Sequence, residues 1–314
     1  MHYRHVPVMV EEVIAYLGCT PGKIYVDGTL GGGGHAKAIL EHIEPNGFLV
    51  GIDKDPDAVA FASEFLREYE SHIALFHDDF AHTPHIVAET CGGKVDGILL
   101  DLGLSLYQLE GSGRGFSFKR DEPLDMRMNP NQALTARELV NRFDRDRIAE
   151  VISRYGEERW SRRIADAVVK ARRSKPIESS LHLAEIVKAA IPAKHRPKRI
   201  HPATRTFQAI RIAVNEELKS LKKFLEVGHD LLNPGGRLCI LSFHSLEDRM
   251  VKQRFKELAD PCCCPPDFPV CTCGRRPQVR ILTKKPVGPG PDAIRANPLA
   301  RSAKLRVVEK LSGV

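Results

Sequence analysis

The sequence predicts a doubly wound α/β sheet interrupted by a helical insert. Short apolar runs alternate with helical patterns over the first third of the chain. From about Gly103 to His201 no strand-like run appears, and after that the alternation resumes. We therefore expect a discontinuous sheet domain at residues 1–103 and 202–314, with an all-helical domain inserted at 104–201.

The first four strands are predicted by the runs "KIYVDG", "GFLVGID", "HIALFH" and "VDGILLDLG". Continuous Val, Ile and Leu are typical of parallel strands covered on both faces. The segments "HAKAILEHI" and "DPDAVAFASEFLREYE" between them have helical patterns. Asp55 followed by Pro56 is a favourable helix start.

The insert begins with the loop "EGSGRGFSFKRDEPLDMRMNP" and continues with helical periodicity. Thr135 and Glu138 have the spacing of a capping box. Apolar residues then recur on single helical faces, and they are Ile148, Val151, Ile152, Tyr155, Ile164 and Val168. The polar faces are rich in arginine and lysine.

After the insert, apolar residues at steps of three and four predict one long helix from Phe207 to Leu225. The segment "NPGG" is expected to stop this helix, and "RLCILSFHS" is expected to form another buried strand. "VRILTKK" and "KLRVVEK" predict two closing strands, separated by the loop "KPVGPGPD".

Composition narrows the class of protein. The chain of 314 residues is 42% hydrophobic and 28% charged, as in ordinary globular proteins. It shows neither a signal-peptide pattern nor an apolar run near the roughly 20 residues of a membrane helix, so we expect a cytoplasmic protein without a membrane partner. The net charge of +7 favours a polyanionic partner, although a merely soluble basic surface is an alternative.

The stretch "VDGTLGGGGHAKAIL" indicates a ligand-binding glycine loop. Gly31, Gly33 and Ala36 satisfy G-x-G-x-x-A, and Asp53 follows about 20 residues later, where a carboxylate can bind a ribose. This pair is compatible with NAD and with S-adenosylmethionine (SAM). Glycines that serve only tight strand–helix packing are a third interpretation.

Two further carboxylates favour SAM. Asp27 ends the first predicted strand directly before the glycines, and Asp101 ends the fourth. In open α/β sheets the ligand crevice lies beyond these carboxyl ends. Carboxylates repel a pyrophosphate, whereas they attract the ammonium and sulfonium groups of SAM.

Eight motifs in order carry a resemblance over almost the whole chain: "HVPVM", "DGTLGGGGH", "GIDKDPDA", "ILLDLGLS", "RGFSFKRDEPLDMRM", "HPATRTFQAIRIAVNEEL", "GGRLCILSFHSLEDR" and "NPLARSAKLRV". Together they resemble the bacterial SAM-dependent methyltransferases of 16S ribosomal RNA that modify the exocyclic N4 of cytidine 1402 in the decoding centre. The resemblance implies a class I methyltransferase fold with an inserted helical domain for substrate recognition. It also implies 16S ribosomal RNA, within the small ribosomal subunit, as partner.

The resemblance further implies a SAM site, whose residues here are Gly33, Gly34, His35, Asp53, Phe80, Asp101 and Gln108. Glycine backbone allows close approach, Asp53 can accept from ribose hydroxyls, and Phe80 can flank the adenine. Simpler interpretations remain for three of them: Phe80 as core, His35 as a polar residue at a helix start, and Asp101 as a strand-end carboxylate.

The implied reaction is attack of the cytosine amine on the SAM methyl group. That nitrogen is a poor nucleophile, so alignment and an acceptor for the amine hydrogens would supply the advantage. Asp101 is the first candidate acceptor and His244 the second, and no general base is assigned. The arginines and lysines of the insert, together with "KHRPKR" at residues 194–199, are expected to hold RNA phosphates, although a solvated helix face is the simpler interpretation of any single one. The insert also offers a surface for a homodimer.

The segment at 261–277 is rich in cysteine. Cys262, Cys264, Cys271 and Cys273 predict a structural zinc site, because thiols that close a short loop in a reducing compartment are typical metal ligands. Cys19, Cys91 and Cys239 are expected to be core thiols.

Two other functions fit parts of the sequence. A nicotinamide-dependent oxidoreductase would use the glycine pattern and Asp53, and would be stabilised by NAD rather than by SAM. A non-catalytic RNA-binding assembly factor would bind ribosomal RNA without transferring a methyl group.

Overall fold

The computed structural model describes residues 7–265, 270 and 272–313, and it divides the chain into two compact units. The sheet unit takes in residues up to 103 and from 219 onward, and the helical unit takes in 104–218. The helical unit thus extends to Leu218 rather than to the expected 201.

Seven strands form one sheet within the described part of the sheet unit. In chain order they are β1 (Ile24–Asp27), β2 (Phe48–Asp53), β3 (Ile73–His77), β4 (Val95–Asp101), β5 (Leu232–Ser242), β6 (Val279–Ile281) and β7 (Lys304–Lys310). All the strands predicted from apolar runs are present, and the core between sheet and helices is built from their Leu, Ile and Val side chains.

The strand order is β3-β2-β1-β4-β5-β7-β6. Strands β1 to β5 are parallel to one another, and β7 pairs antiparallel with both β5 and β6. The chain order runs outward from β1 through β2 to β3 on one side and from β4 to β5 on the other, where β7 and then the edge strand β6 complete the sheet. This confirms the doubly wound α/β fold of class I methyltransferase type, and it puts the topological switch point, where such folds bind ligands, between β1 and β4.

The helices that follow or precede these strands are α1 (Val10–Leu17), α2 (Gly34–Ile43), α3 (Pro56–Phe65), α4 (Thr83–Cys91), α12 (Ser245–Ala259) and α13 (Pro291–Ala296). Helix α3 begins as expected, with Pro56 in its first turn and the Asp55 carboxylate accepting from the Asp57 N–H at 3.1 Å.

The helices of the insert are α5 (Leu106–Glu110), α6 (Ala136–Arg142), α7 (Arg145–Gly156), α8 (Ser161–Ser174), α9 (Ser180–Ala190) and α10 (Thr204–Asn215). The capping box at Thr135 is present, with the Glu138 N–H donating to the Thr135 hydroxyl at 3.1 Å. The predicted faces of α7 and α8 are buried in a common core. Helix α10 contributes Phe207 and Ile210 to that core, which explains why the unit extends past residue 201.

The single helix predicted from Phe207 to Leu225 is wrong, because the chain forms two helices there. Helix α10 ends at Asn215, Glu216 adopts a left-handed conformation with φ 52°, and α11 follows at Glu217–Val227. The break is held by the Asn215 side chain, which donates to the carbonyl of Met126 at 2.7 Å. A bidentate pair between Arg211 and Glu217 at 2.8 Å fixes the other side. The spacing of apolar residues continues across the break, so the sequence pattern does not show that the helix ends there.

The segment "NPGG" does not end a helix. Helix α11 ends at Val227, and Asn233 to Gly236 lie within the first half of β5. The pairing of β4 with β5 shifts register between Val95 and Gly97, and Gly235 has φ 80°. A bulge of this kind absorbs proline and glycine that a regular strand would not accept.

Among the described residues, no helix combines the length and apolar character needed to cross a membrane.

Candidate ligand site at the carboxyl edge of the sheet

Asp27 and Asp101 end the adjacent strands β1 and β4, as the sequence predicts. Thr29 connects them: its backbone N–H donates to Asp27 Oδ1 at 3.1 Å, and its hydroxyl accepts from the Asp101 N–H at 2.6 Å. One short turn therefore fixes the Asp27 carboxylate and the backbone of Asp101 at the switch point.

Asp53, at the end of β2, holds the glycine loop in place. Its Oδ2 accepts from the Gly31 N–H at 2.7 Å, and its Oδ1 accepts from the Asp55 N–H at 2.8 Å. Each carboxylate oxygen keeps a second lone pair, so Asp53 can still accept from a ligand hydroxyl.

The glycines serve backbone geometry and packing as well. Gly31 and Gly33 have φ 49° and 75°, in the left-handed region that favours glycine, and Gly33 is the N-cap of α2. A Cβ on Gly34 would lie 2.8 Å from the ring of Pro7. Tight packing therefore explains part of the glycine run, including two residues of the expected SAM site.

His35 lies in the first turn of α2 and is only 3% exposed. Its Nε2 lies 3.0 Å from the carbonyl of Val8. A carbonyl only accepts, so Nε2 carries a proton and Nδ1 faces Asp101 Oδ2 at 3.6 Å. The structure thus brings His35 and Asp101 together, a contact that the spacing in sequence does not show.

Burial and mutual repulsion raise the pKa values of the strand-end acids. Burial raises the pKa of Asp27 to about 7, opposed by the Thr29 hydrogen bond and reinforced by Asp53. Burial likewise raises the pKa of Asp53 to about 6, against its two backbone hydrogen bonds. Burial, then repulsion by Asp27 and Glu247, raises the pKa of Asp101 well above its ordinary value.

Glu247 is a fourth acid that sequence reasoning missed. It lies in the first turn of α12, is 2% exposed, and its Oε2 accepts from the Phe243 N–H at 2.9 Å. His244, the second candidate acceptor, caps the same helix, and its Nε2 lies 3.0 Å from Glu247 Oε1. The x-x-Glu spacing after His244 was the available signal, because a capping box has this spacing. We call Asp27, Asp53, Asp101 and Glu247 the acidic cluster.

Phe80 lies three residues after the end of β3 and is half-buried. Its ring packs edge-to-face against Phe224, with 6.0 Å between the ring centroids. The preceding Asp79, which the sequence did not single out, binds Lys54 at 2.7 Å and accepts from Ser220 at 2.6 Å. Burial alone would raise the pKa of Asp79, but Lys54 holds it below its ordinary value. Asp79 thus stays ionised and its charge is balanced by Lys54, whereas the pKa values of Asp27, Asp53 and Asp101 are raised.

Gln108 belongs to the helical unit. Its Oε1 accepts from the Ser105 N–H at 3.1 Å while its own N–H donates to the Ser105 hydroxyl at 3.1 Å. Ser105-x-x-Gln108 is therefore the capping box of α5, a role readable in the sequence.

Two oxygens of the acidic cluster fit a cationic ligand. Asp27 Oδ2 and Asp101 Oδ1 are buried, and neither has a hydrogen-bond partner within the part of the chain that the structure describes. A buried carboxylate oxygen without a partner is costly, and a cation placed there relieves both that cost and the repulsion between the acids. A pyrophosphate would increase both.

The predicted metal ligands lie elsewhere in the sheet unit. The sulfur atoms of Cys262, Cys264 and Cys273 all lie within 4.8 Å of one another. Cys271, the fourth predicted ligand, lies outside the described residues. Among the cysteines expected in the core, Cys239 is buried, whereas Cys19 and Cys91 are half-buried.

Comparison with known proteins gives the family. The MraW methylase family matches residues 2–311. A protein of Desulforapulum autotrophicum named ribosomal RNA small subunit methyltransferase H is 54% identical over 309 residues, covering 98% of this chain and 99% of its own length. A protein of the same name from Heliobacterium modesticaldum is 50% identical over 312 residues, covering 99% of this chain and 100% of its own length.

A crystal structure of a ribosomal RNA methylase from Streptococcus thermophilus aligns with 99% of both chains at 11% identity and a TM-score of 0.40, too low to support a conclusion about this chain. The match over nearly all residues and the identities near one half are decisive by themselves. The resemblance of the eight motifs is confirmed, and the chain belongs to the MraW methylase family.

Proposed function

We propose that this protein transfers the methyl group of SAM to the exocyclic N4 of cytidine 1402 in 16S ribosomal RNA. The acidic cluster at the switch point supports a cationic methyl donor, and membership of a methylase family favours it over a nicotinamide cofactor. The names of the relatives support ribosomal RNA of the small subunit as substrate. Such an enzyme would work in the cytoplasm.

SAM supplies an electrophilic methyl group on a sulfonium when it is bound. Asp27 and Asp101 would face its positive charge, Asp53 would accept from its ribose, and Phe80 would flank its adenine. We place Gly33, Gly34 and His35 in the same site, where His35 Nδ1 lies 3.6 Å from Asp101 Oδ2. We also propose Gln108 as a SAM contact. Its side chain belongs to the capping box of α5.

Asp101 is the proposed acceptor for the amine hydrogens of cytosine. Burial and its acidic neighbours raise the pKa of Asp101. A positive charge bound beside it would lower that pKa and favour the carboxylate, which is the form that accepts hydrogen bonds. An acceptor aimed at the amine stabilises the positive charge that develops on nitrogen in the transition state.

The helical unit would hold the RNA. Helix α8 exposes the basic residues Arg162, Arg163, Lys170 and Arg173. Some basic residues of the insert already form ion pairs within the unit; Arg137, for example, pairs with Glu178 at 3.1 Å. Exposed guanidinium and ammonium groups release counterions when they neutralise phosphates. We propose α8 and residues 194–199 as the phosphate-binding surface.

The experiment is a methylation assay with methyl-labelled SAM on small ribosomal subunits and on free 16S RNA, both from a strain that lacks the protein. Label at N4 of cytidine 1402 is expected, and RNA fragments analysed by mass spectrometry locate it. Binding of RNA without label would favour an assembly factor instead. Label on another nucleotide would support SAM as the methyl donor but reject cytidine 1402 as the target.

Arg162→Glu with Arg163→Glu tests the RNA surface. The double variant should weaken RNA binding and reduce its salt dependence, because two phosphate contacts are lost. Arg137→Glu is the matched control, since its guanidinium is paired within the unit. Equal losses in both proteins would reject α8 as the surface.

A further inference from the structure

We propose that Cys262, Cys264 and Cys273 bind a structural zinc ion. This site is separate from the proposed methyl-transfer site and its test is independent of activity. The three residues flank one segment: two follow the end of α12, and the third precedes β6. Their sulfur atoms all lie within 4.8 Å of one another.

The distance between Cys262 Sγ and Cys273 Sγ is 3.9 Å. A disulfide requires about 2.05 Å, so these two sulfur atoms are not bonded to each other. Zinc–sulfur bonds of about 2.3 Å in a tetrahedron place neighbouring sulfur atoms about 3.8 Å apart. The observed separation therefore agrees with two thiolates on one zinc ion.

Apolar burial does not explain the convergence. Cys262 is exposed, and Cys264 and Cys273 are half-buried, whereas thiols that act as small apolar side chains are mostly fully buried. The backbone N–H of Thr272 donates to Cys264 Sγ at 3.4 Å. Such N–H···S bonds are the outer contacts that orient a ligating sulfur and stabilise its charge.

A cleft of about 780 Å³ beside Cys262 is lined by basic and acidic side chains, which are Arg254, Arg275, Arg276, Glu257 and Asp260. The thiolate is the form of cysteine that binds metal. Three thiolates and Zn²⁺ leave one tetrahedral position for a further ligand.

The ion would tie the end of α12 to the start of β6 across a short loop. Closing that loop by three bonds removes conformational freedom that the chain would otherwise have to lose on folding. The zinc would therefore stabilise the connection between the end of α12 and the start of β6.

The test is the metal content of the full-length protein, produced with zinc in the medium and measured by mass spectrometry of the released metal. One zinc ion per chain is expected, freed by a mercurial thiol reagent. Cobalt(II) in its place should give thiolate charge-transfer absorption and intense tetrahedral bands. Cys262→Ser, Cys264→Ser and Cys273→Ser should each lose the metal, with far-ultraviolet circular dichroism showing that the fold remains.

Cys263→Ser is the matched control, because Cys263 is an exposed neighbour outside the cluster. It should keep the full zinc content. The proposal is overturned if the wild-type protein retains no zinc and gives no tetrahedral cobalt spectrum. It is equally overturned if Cys263→Ser loses as much metal as the cluster variants.

Discussion

Asp27→Asn should stabilise the protein in the absence of any ligand. Asp27 is 1% exposed, its Oδ1 accepts from Thr29, and its Oδ2 has no partner within the described residues. Burial is the main cause that raises the pKa of Asp27 from 3.8 to about 7. An ionised Asp27 therefore costs the fold free energy, and an amide of nearly the same shape removes that cost.

The magnitude follows from the shift. A rise of about 3 pKa units corresponds to about 4 kcal/mol of unfolding free energy. Below pH 3.8 the carboxyl is neutral in both states and there is no penalty. As pH rises from there to about 7, only the unfolded state ionises, so folding stability falls, and above about pH 7 the full penalty remains.

The amide does not recover all of this. Its carbonyl oxygen can keep the Thr29 hydrogen bond, but its NH₂ group would be a buried donor that costs about 1–3 kcal/mol when unsatisfied. We expect a net gain of about 1–3 kcal/mol near pH 8, and no gain near pH 4.

The assay is urea unfolding of ligand-free protein at several pH values, followed by circular dichroism and compared through transition midpoints at constant slope. Asp121→Asn, at an exposed loop position, is the control and should change little at any pH. A variant that is less stable than the wild type near pH 8 would refute the reasoning. So would a gain that does not depend on pH.

Three further predictions concern ligand, catalysis and packing. SAM should bind more tightly as pH rises through about 6 to 7, by at most tenfold per unit for each group, because binding a cation releases protons from Asp27 and Asp53; calorimetry in buffers of different ionisation enthalpy measures this. Asp101→Asn should lower kcat about 10²–10³-fold, with little change in the KM for RNA, in a steady-state methylation assay. Gly156→Ala should destabilise the helical unit by about 1–3 kcal/mol in thermal unfolding, because the new Cβ would meet the carbonyl oxygen of Arg205 at 2.6 Å.

Each of these has a control and a contradicting result. Affinity for SAM that is flat or falls with pH would show that the acids do not face the cation. Asp96→Asn lies at the opposite end of β4 and should leave kcat unchanged; a loss equal to that of Asp101→Asn would remove the special role of the strand end. Gly290→Ala, with nothing within 4 Å of the new Cβ, should leave stability unchanged. Equal stability of the Gly156→Ala and Gly290→Ala variants would contradict the packing argument.

Local patterns gave much of the fold. Each strand contains a short apolar run, so all seven were predictable one at a time. Their order in the sheet was not readable, and neither was the boundary of the helical unit at Leu218. The break at Glu216 was missed because the side chains that hold it, such as Asn215, bond to residues far away in sequence.

The candidate site divides in the same way. The sequence by itself placed Asp27, Asp53 and Asp101 at strand ends, because a residue that directly follows an apolar run lies where that strand ends. Only the tertiary structure decided that Glu247 adds a fourth acid, that His35 faces Asp101, and that three cysteines from both ends of a loop converge. Burial and charge interaction depend on distance in space, and the packing of the sheet sets those distances rather than any local period.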